Sequence, residues 1–188
     1  MLTATNKNAT VAYTYDRVGR LLSETLNEKK VSYAYDVAGG SRTITYPNGM
    51  TVDEQFNARG LIESIMSNGV ETVTMAYNAA GQKSSRTYNN GITTQYDYND
   101  NGWLESIQAD NGVMNLSYTY DAVGNITQRK DLLDDSRTET YTYDAIYQLT
   151  AFARGGNTVT YEYDQLGNRL KKAFNGMAIN YQSDNVNA

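Results

Sequence analysis

The stretch Tyr15-Asp16-Arg17-Val18-Gly19-Arg20-Leu21 reads as the end of one β-strand, a tight turn and the start of the next. Before it, Val11, Tyr13 and Tyr15 alternate with smaller or polar residues, the period of a strand with one inward face. Asp16 is the residue type that accepts backbone N–H bonds at the first position of a type I turn, and Gly19 supplies the left-handed position that closes it. Leu21, six residues after the anchor Tyr15, is the next inward side chain.

The same string recurs along the chain. It appears as Tyr35-Asp36 with Gly39, Phe56-Asn57 with Gly60, Tyr77-Asn78 with Gly81 and Tyr98-Asn99 with Gly102. It continues as Tyr120-Asp121 with Gly124, Tyr143-Asp144 with Tyr147 in place of glycine, and Tyr163-Asp164 with Gly167. The anchors lie 20, 21, 21, 21, 22, 23 and 20 residues apart, so the chain is a repeat array before it is anything else. Tyr181-Gln182-Ser183-Asp184 reads as the opening of an incomplete ninth unit, and residues 1–188 as one array. A second turn in each unit is often Asn-Gly, at Asn48-Gly49, Asn68-Gly69, Asn90-Gly91, Asn111-Gly112 and Asn175-Gly176, the strongest short hairpin signal. Lys29-Lys30, Asp134-Asp135 and Gly155-Gly156 replace or adjoin it elsewhere.

The expected fold is all-β: about eight antiparallel hairpins, two strands each of roughly 6–7 residues, giving about 16 strands. Open sheets of that size curl, so a long, strongly curved meander is expected. Tyr-x-Tyr pairs should stack from unit to unit, each hydroxyl reaching a polar partner. No segment has sustained helical periodicity, and Asp131 to Arg137 is the best place for a one-turn insertion.

Composition narrows the function. The 188 residues include no His and no Cys. That removes Ser-His and Cys-His nucleophile pairs, His and Cys metal sites, and disulfides. A net charge of −5 argues against nucleic acid as a partner. There is no signal-peptide pattern and no apolar run long enough to span a membrane as a helix. Asp97-Tyr98-Asn99-Asp100-Asn101-Gly102 matches half of a calcium loop, but Gln108 stands where the bidentate Glu belongs, so it reads as another repeat turn. The repeated Asp16, Asp36, Asp121, Asp144 and Asp164 read as turn caps, because each sits at the same place in its own unit. No catalytic residue, metal site or cofactor is expected. Trp103, the only tryptophan, stands at a tolerant position, exposed by register, five after its anchor; it reads as a partly buried turn residue, with ligand contact as the alternative. Breaks in the repeat, at Gly39-Gly40, Glu54, Asp131–Arg137 and Tyr147, read as scattered and without a coherent site.

Tyr-Asp-x-x-Gly-[Arg/Asn]-Leu, as at Tyr15 to Leu21 and Tyr163 to Leu170, resembles the YD repeat of Rhs-type proteins over roughly residues 8–182. Bacterial Rhs toxins, the shell-forming components of insecticidal toxin complexes and teneurins carry long arrays of it. The resemblance implies a β-ribbon that spirals into a hollow shell, secreted or at the cell surface, enclosing a polypeptide such as a C-terminal toxin. It implies partners in the remainder of a larger shell, or in another copy of the chain. The chain is too short to close a shell, and its single proline, Pro47, leaves out the family's self-cleavage core motif. The expected function is therefore a non-catalytic structural module, with a carbohydrate- or cell-surface-binding module as the alternative.

Overall fold

A computed structural model describes residues 2–181. The described chain is all-β, with eighteen strands and two single-turn 3₁₀ segments at Asp110–Gly112 and Asp135–Arg137. The second of these falls in the expected insertion. The fold divides into two compact units, Met1–Thr93 and Thr94–Ala188.

The first unit contains β1 (Leu2–Thr5), β2 (Thr10–Tyr15), β3 (Leu21–Leu26), β4 (Lys29–Asp36), β5 (Ser41–Thr45), β6 (Thr51–Phe56), β7 (Ile62–Ser67), β8 (Val70–Tyr77) and β9 (Lys83–Tyr88). Each strand pairs antiparallel with the next in chain order. The second unit holds all but the first residue of β10 (Thr93–Tyr98), then β11 (Leu104–Ala109), β12 (Met114–Tyr120), β13 (Ile126–Asp131), β14 (Glu139–Tyr143), β15 (Leu149–Arg154), β16 (Asn157–Tyr163), β17 (Arg169–Phe174) and β18 (Met177–Asn180). It follows the same meander. The expected sixteen strands are β2 to β17. β1 and β18 add one at each end, because the strand pattern runs on through Leu2–Thr5 and Met177–Asn180.

Alternation gives each unit a polar face and an aromatic face. Thr14, Ser23, Ser32, Thr45 and Thr51 are successive cross-strand partners on one face. Thr119, Gln128, Thr140, Ala153 and Thr158 repeat that composition in the second unit. The anchors, Tyr13, Ile44, Ile65, Ile107 and Leu116 lie on the other. Among the described residues no large side chain is fully buried, and the buried apolar residues are only Ala109, Leu116 and Ala173. The fold is therefore one sheet thick, held by ladders and neighbouring side chains instead of a two-layer core.

Seven of the eight anchor turns share one geometry, the exception being the turn after Tyr35. The Asp16 amide donates to the Arg20 carbonyl, and the Gly19 amide to the Asp16 carbonyl. Tyr15 faces Leu21 while Thr14 faces Ser23, so Leu22 is an extra residue that bulges the ladder. The same shift occurs at Phe56, Tyr77, Tyr98, Tyr120, Tyr143 and Tyr163. A bulge increases local twist and re-aims the anchor side chain.

Three expectations need correction. At Tyr35 the ladder continues without a bulge through Asp36↔Ser41, so the loop is the four residues 37–40 and Gly40, not Gly39, takes the left-handed position (φ 63°). Gly39 serves instead by leaving room, since a Cβ there would collide with the Asp36 carboxylate. The turn expected at Lys29-Lys30 lies at Asn27-Glu28, both left-handed (φ 45° and 70°), with the lysines already in β4. Tyr181 falls two positions before the anchor rung: Lys172↔Ile179 matches Glu24↔Val31, so Tyr181 is the counterpart of Tyr33. The rest of the proposed ninth unit, from Gln182, lies outside the described residues.

The Asn-Gly steps divide into two kinds. Asn68-Gly69 and Asn175-Gly176 are left-handed at both positions, as a two-residue hairpin turn demands, and Asn111-Gly112 is too, within the four-residue loop 110–113. Pro47-Asn48-Gly49 and Asn89-Asn90-Gly91 copy the anchor turn instead, with the Gly49 and Gly91 amides donating to Tyr46 and Tyr88 carbonyls.

Candidate functional site

Within each compact unit the repeat anchors form a stitched series along one rim. Each turn carboxylate or amide accepts its own loop amides. Asp16 Oδ1 takes Val18 and Arg20, Asn57 takes Arg59 and Leu61, and Asn99 takes Asn101 and Trp103. Asp121, Asp144 and Asp164 repeat the pattern, Asn78 accepts from Gln82, and Asp36 accepts from Gly39. Asn125 and Asn168 side-chain amides donate to Asp121 and Asp164, which holds both carboxyls below their usual range. Every one of these groups serves its own turn, and among the described residues no three His, Cys, Asp or Glu gather as a metal site.

The anchor hydroxyls link units. Tyr35 donates to the Leu21 carbonyl (2.8 Å), Tyr77 to Ile62 (2.6 Å) and Tyr120 to Leu104 (2.6 Å). Tyr143 donates to Ile126 and Tyr163 to Leu149, both at 2.9 Å. In each case the acceptor is six residues after the previous anchor. The bulge frees that carbonyl, and the tyrosine claims it. Burial pushes the Tyr120 and Tyr143 phenols up, consistent with hydroxyls that stay protonated donors.

Turns also pack on turns. Arg59 donates to the Asn78 and Ala79 carbonyls of the following turn. Trp103, the candidate ligand contact, is half-buried. Its ring lies 5.2 Å from Tyr120, and a Cβ on Gly124 would sit 2.9 Å from it. Gly124 (φ 95°) is thus required twice, for the turn and for the indole.

The sequence reading missed two features. Asn27, Asn68 and Asn175 each latch the start of the strand seventeen residues earlier. Their amides donate to the Thr10, Thr51 and Thr158 carbonyls, and their Oδ1 atoms accept from the same three residues' amides. The Thr-to-Asn spacing of seventeen was the available signal. The other feature is a cross-strand ionic row on the aromatic face. Arg129, Glu139 and Arg154 are direct partners across β13, β14 and β15. Glu139 accepts from Arg129 (2.7 Å), Tyr141 (2.6 Å) and Arg154 (3.3 Å). Arg129, then Tyr141 and Arg154, hold the Glu139 carboxyl down at about 2. Burial first, and then Glu139, push the Tyr141 phenol up to about 12. In the first unit the row is shorter, Arg42 donating to Glu54 at 2.7 Å.

The breaks in the first unit are not scattered. β5 and β6 bring Gly40, Arg42, Glu54 and Phe56 side by side. Gly40, Arg42 and Phe56 border an open cleft of about 230 Å³ shared with Arg20, Tyr35 and Asp36. Larger clefts, of about 510 and 490 Å³, lie at Glu63 to Ser85 and between the Asp144 and Asp164 turns.

These features define a single-layer array of bulged β-hairpins whose polar residues serve turns and ladders. No protein-family model matches the sequence, and no curated protein matches it. Solved structures do. The crystal structure of TcdB2-TccC3-Cdc42 superposes on 92% of the chain with a TM-score of 0.78 at 19% identity. The Photorhabdus luminescens Tc holotoxin pore with a TccC3 variant does so over 92% with a TM-score of 0.80 at 19% identity. The TcdB2-TccC3 crystal structure covers 88% with a TM-score of 0.55 at 23% identity. The chain has the fold of a segment of these toxin proteins and spans 12%, 11% and 9% of them. No helix among the described residues is long and apolar enough to cross a membrane.

Proposed function

We propose that the chain is a non-catalytic structural segment of a β-walled shell that encloses a polypeptide cargo. The observation that carries this reading is the sheet itself, one layer thick, its aromatic face without a second layer and its fold that of a segment of Tc toxin structures. A repeat that cannot bury its own apolar face needs neighbours or contents to do so. The partners on this reading are the remainder of a larger shell, or another copy of the chain, and the enclosed polypeptide. The place of action is outside the producing cell or on its surface, and the source is bacterial. The residues that do the work are the anchors and turns, which specify a wall. No specific observation favours the glycan-binding alternative, since Trp103 already lies against Tyr120 and Gly124.

The test uses the whole product of the natural gene under limited proteolysis. A tagged segment beyond the array should survive while the array is intact. It should be cut within minutes when residues 94–188 are deleted. Equal cleavage in both would sink the shell reading.

A further inference from the structure

We propose that the cleft above Phe56 is a binding site for an uncharged planar aromatic group. The repeat itself defines the slot. Extending the pairing registers sets the residue five after one anchor opposite the next anchor: Arg20 opposite Tyr35, Leu61 opposite Tyr77, Trp103 opposite Tyr120. The Arg20 guanidinium lies 4.8 Å over the Tyr35 ring, and Trp103 lies 5.2 Å from Tyr120. Opposite Phe56 the residue is Gly40, joined to it by the Phe56 amide donating to the Gly40 carbonyl at 2.8 Å. Gly40 contributes no side chain, and the open cleft of about 230 Å³ is found there.

The chain cannot readily fill this slot itself. Gly40 is left-handed (φ 63°), and a Cβ on it would lie 3.1 Å from the Phe56 carbonyl oxygen. The second unit displays the occupant that suits the rung, an indole packed on the anchor ring. Rings stack in tilted or offset geometry on such a floor. Charge narrows the choice further. Arg20 and Arg42 flank the cleft, each already paired, with Asp16 at 2.6 Å and with Glu54 at 2.7 Å. Asp36 lines the cleft as well, so with both guanidinia paired the surroundings carry no net positive charge and suit an uncharged ring.

The test is an amide chemical-shift titration of the 188-residue chain with indole, indole-3-acetate and tryptamine. Saturable shifts are expected at Gly40 and Ser41, with indole binding at least as tightly as indole-3-acetate or tryptamine at low salt. Phe56→Leu keeps apolar volume but removes the aromatic floor, and should weaken binding about fivefold or more. A Gly-Trp-Gly peptide separates the sources. Clearly tighter binding than indole assigns the slot to a polypeptide segment, and equal binding assigns it to a free ring. Trp103→Ala opens the equivalent slot over Tyr120, where added indole should shift Gly124 and raise the melting temperature. Absence of saturable shifts at Gly40 and Ser41 overturns the proposal. So do shifts spread over all exposed tyrosines, or shifts that Phe56→Leu leaves unchanged while the variant stays folded.

Discussion

Residues 1–93 and residues 94–188 run the same repeat and fill it differently. On the aromatic face, the first unit sets Arg42 against Glu54 alone, and the second gives Glu139 two arginines and a tyrosine. On the rim, the first unit leaves Gly40 bare over Phe56, and the second closes the corresponding rung with Trp103 on Tyr120. One backbone plan therefore supports an open rung in one unit and a filled rung in the other. The difference lies in single residues that the turns and ladders do not require. In a one-layer sheet such residues carry unusual weight, because no second layer compensates for them.

The comparison can be broken most directly at the ionic rows. Glu54 and Glu139 side chains are equally sheltered, at 12% and 11% exposure, so partner number separates them. Glu139→Gln should cost about 3 kcal/mol by stranding two arginines, against about 1–2 kcal/mol for Glu54→Gln. Equal losses in thermal or urea unfolding would refute the distinction. Acid sharpens it. The Glu139 carboxyl titrates at about 2 in the fold against 4.5 when free, so its stabilisation is fully present above about 4.5. It is lost as the pH falls from 4.5 towards 2, and is worth about 1–3 kcal/mol. The wild-type and Glu139→Gln melting curves should converge across that window.

The rims come next. Gly124→Ala drives a Cβ to 2.9 Å from the Trp103 ring at φ 95°, and should cost about 2–3 kcal/mol. Gly60→Ala meets nothing within 4 Å at φ 74° and should cost about 1 kcal/mol, the conformational penalty alone. Adding Trp103→Ala should bring Gly124→Ala down to the Gly60 value, and a double mutant that remains additive would exclude the indole as cause. The smallest effect belongs to Tyr147, which holds the glycine position of its turn at φ 67° and is exposed. Tyr147→Gly should stabilise by about 0.5 kcal/mol, since relief of strain exceeds the entropy gained by the unfolded chain. A loss would mean that the tyrosine makes a compensating contact.

Local features were legible in the sequence. Asp-x-x-Gly announced the anchor turns because an Asp side chain and a left-handed glycine complete that turn without help from elsewhere. Tyr13 and Tyr15, like Tyr118 and Tyr120, announced a strand face by their spacing. The Asn27, Asn68 and Asn175 latches left a trace at seventeen residues but looked like ordinary loop residues. Glu54 looked unrelated to Gly40 and Arg42 because they become neighbours only once β5 pairs with β6, in a hairpin whose register the local pattern does not announce. Glu139 and Arg129 sit at no repeat spacing, since the Asp131–Arg137 insertion displaces one strand against the other. Trp103 seemed exposed because its cover, Tyr120 and Gly124, belongs to the following unit.

The sequence by itself determined the period, the turns, the strand faces and the freedom from His and Cys chemistry. These are properties of single residues and of neighbours a few positions away. Only the tertiary structure decided which anchor claims which carbonyl, how the ionic rows assemble and which rung stands open. Those depend on cross-strand register, and a bulge or an inserted residue shifts register without changing the local pattern.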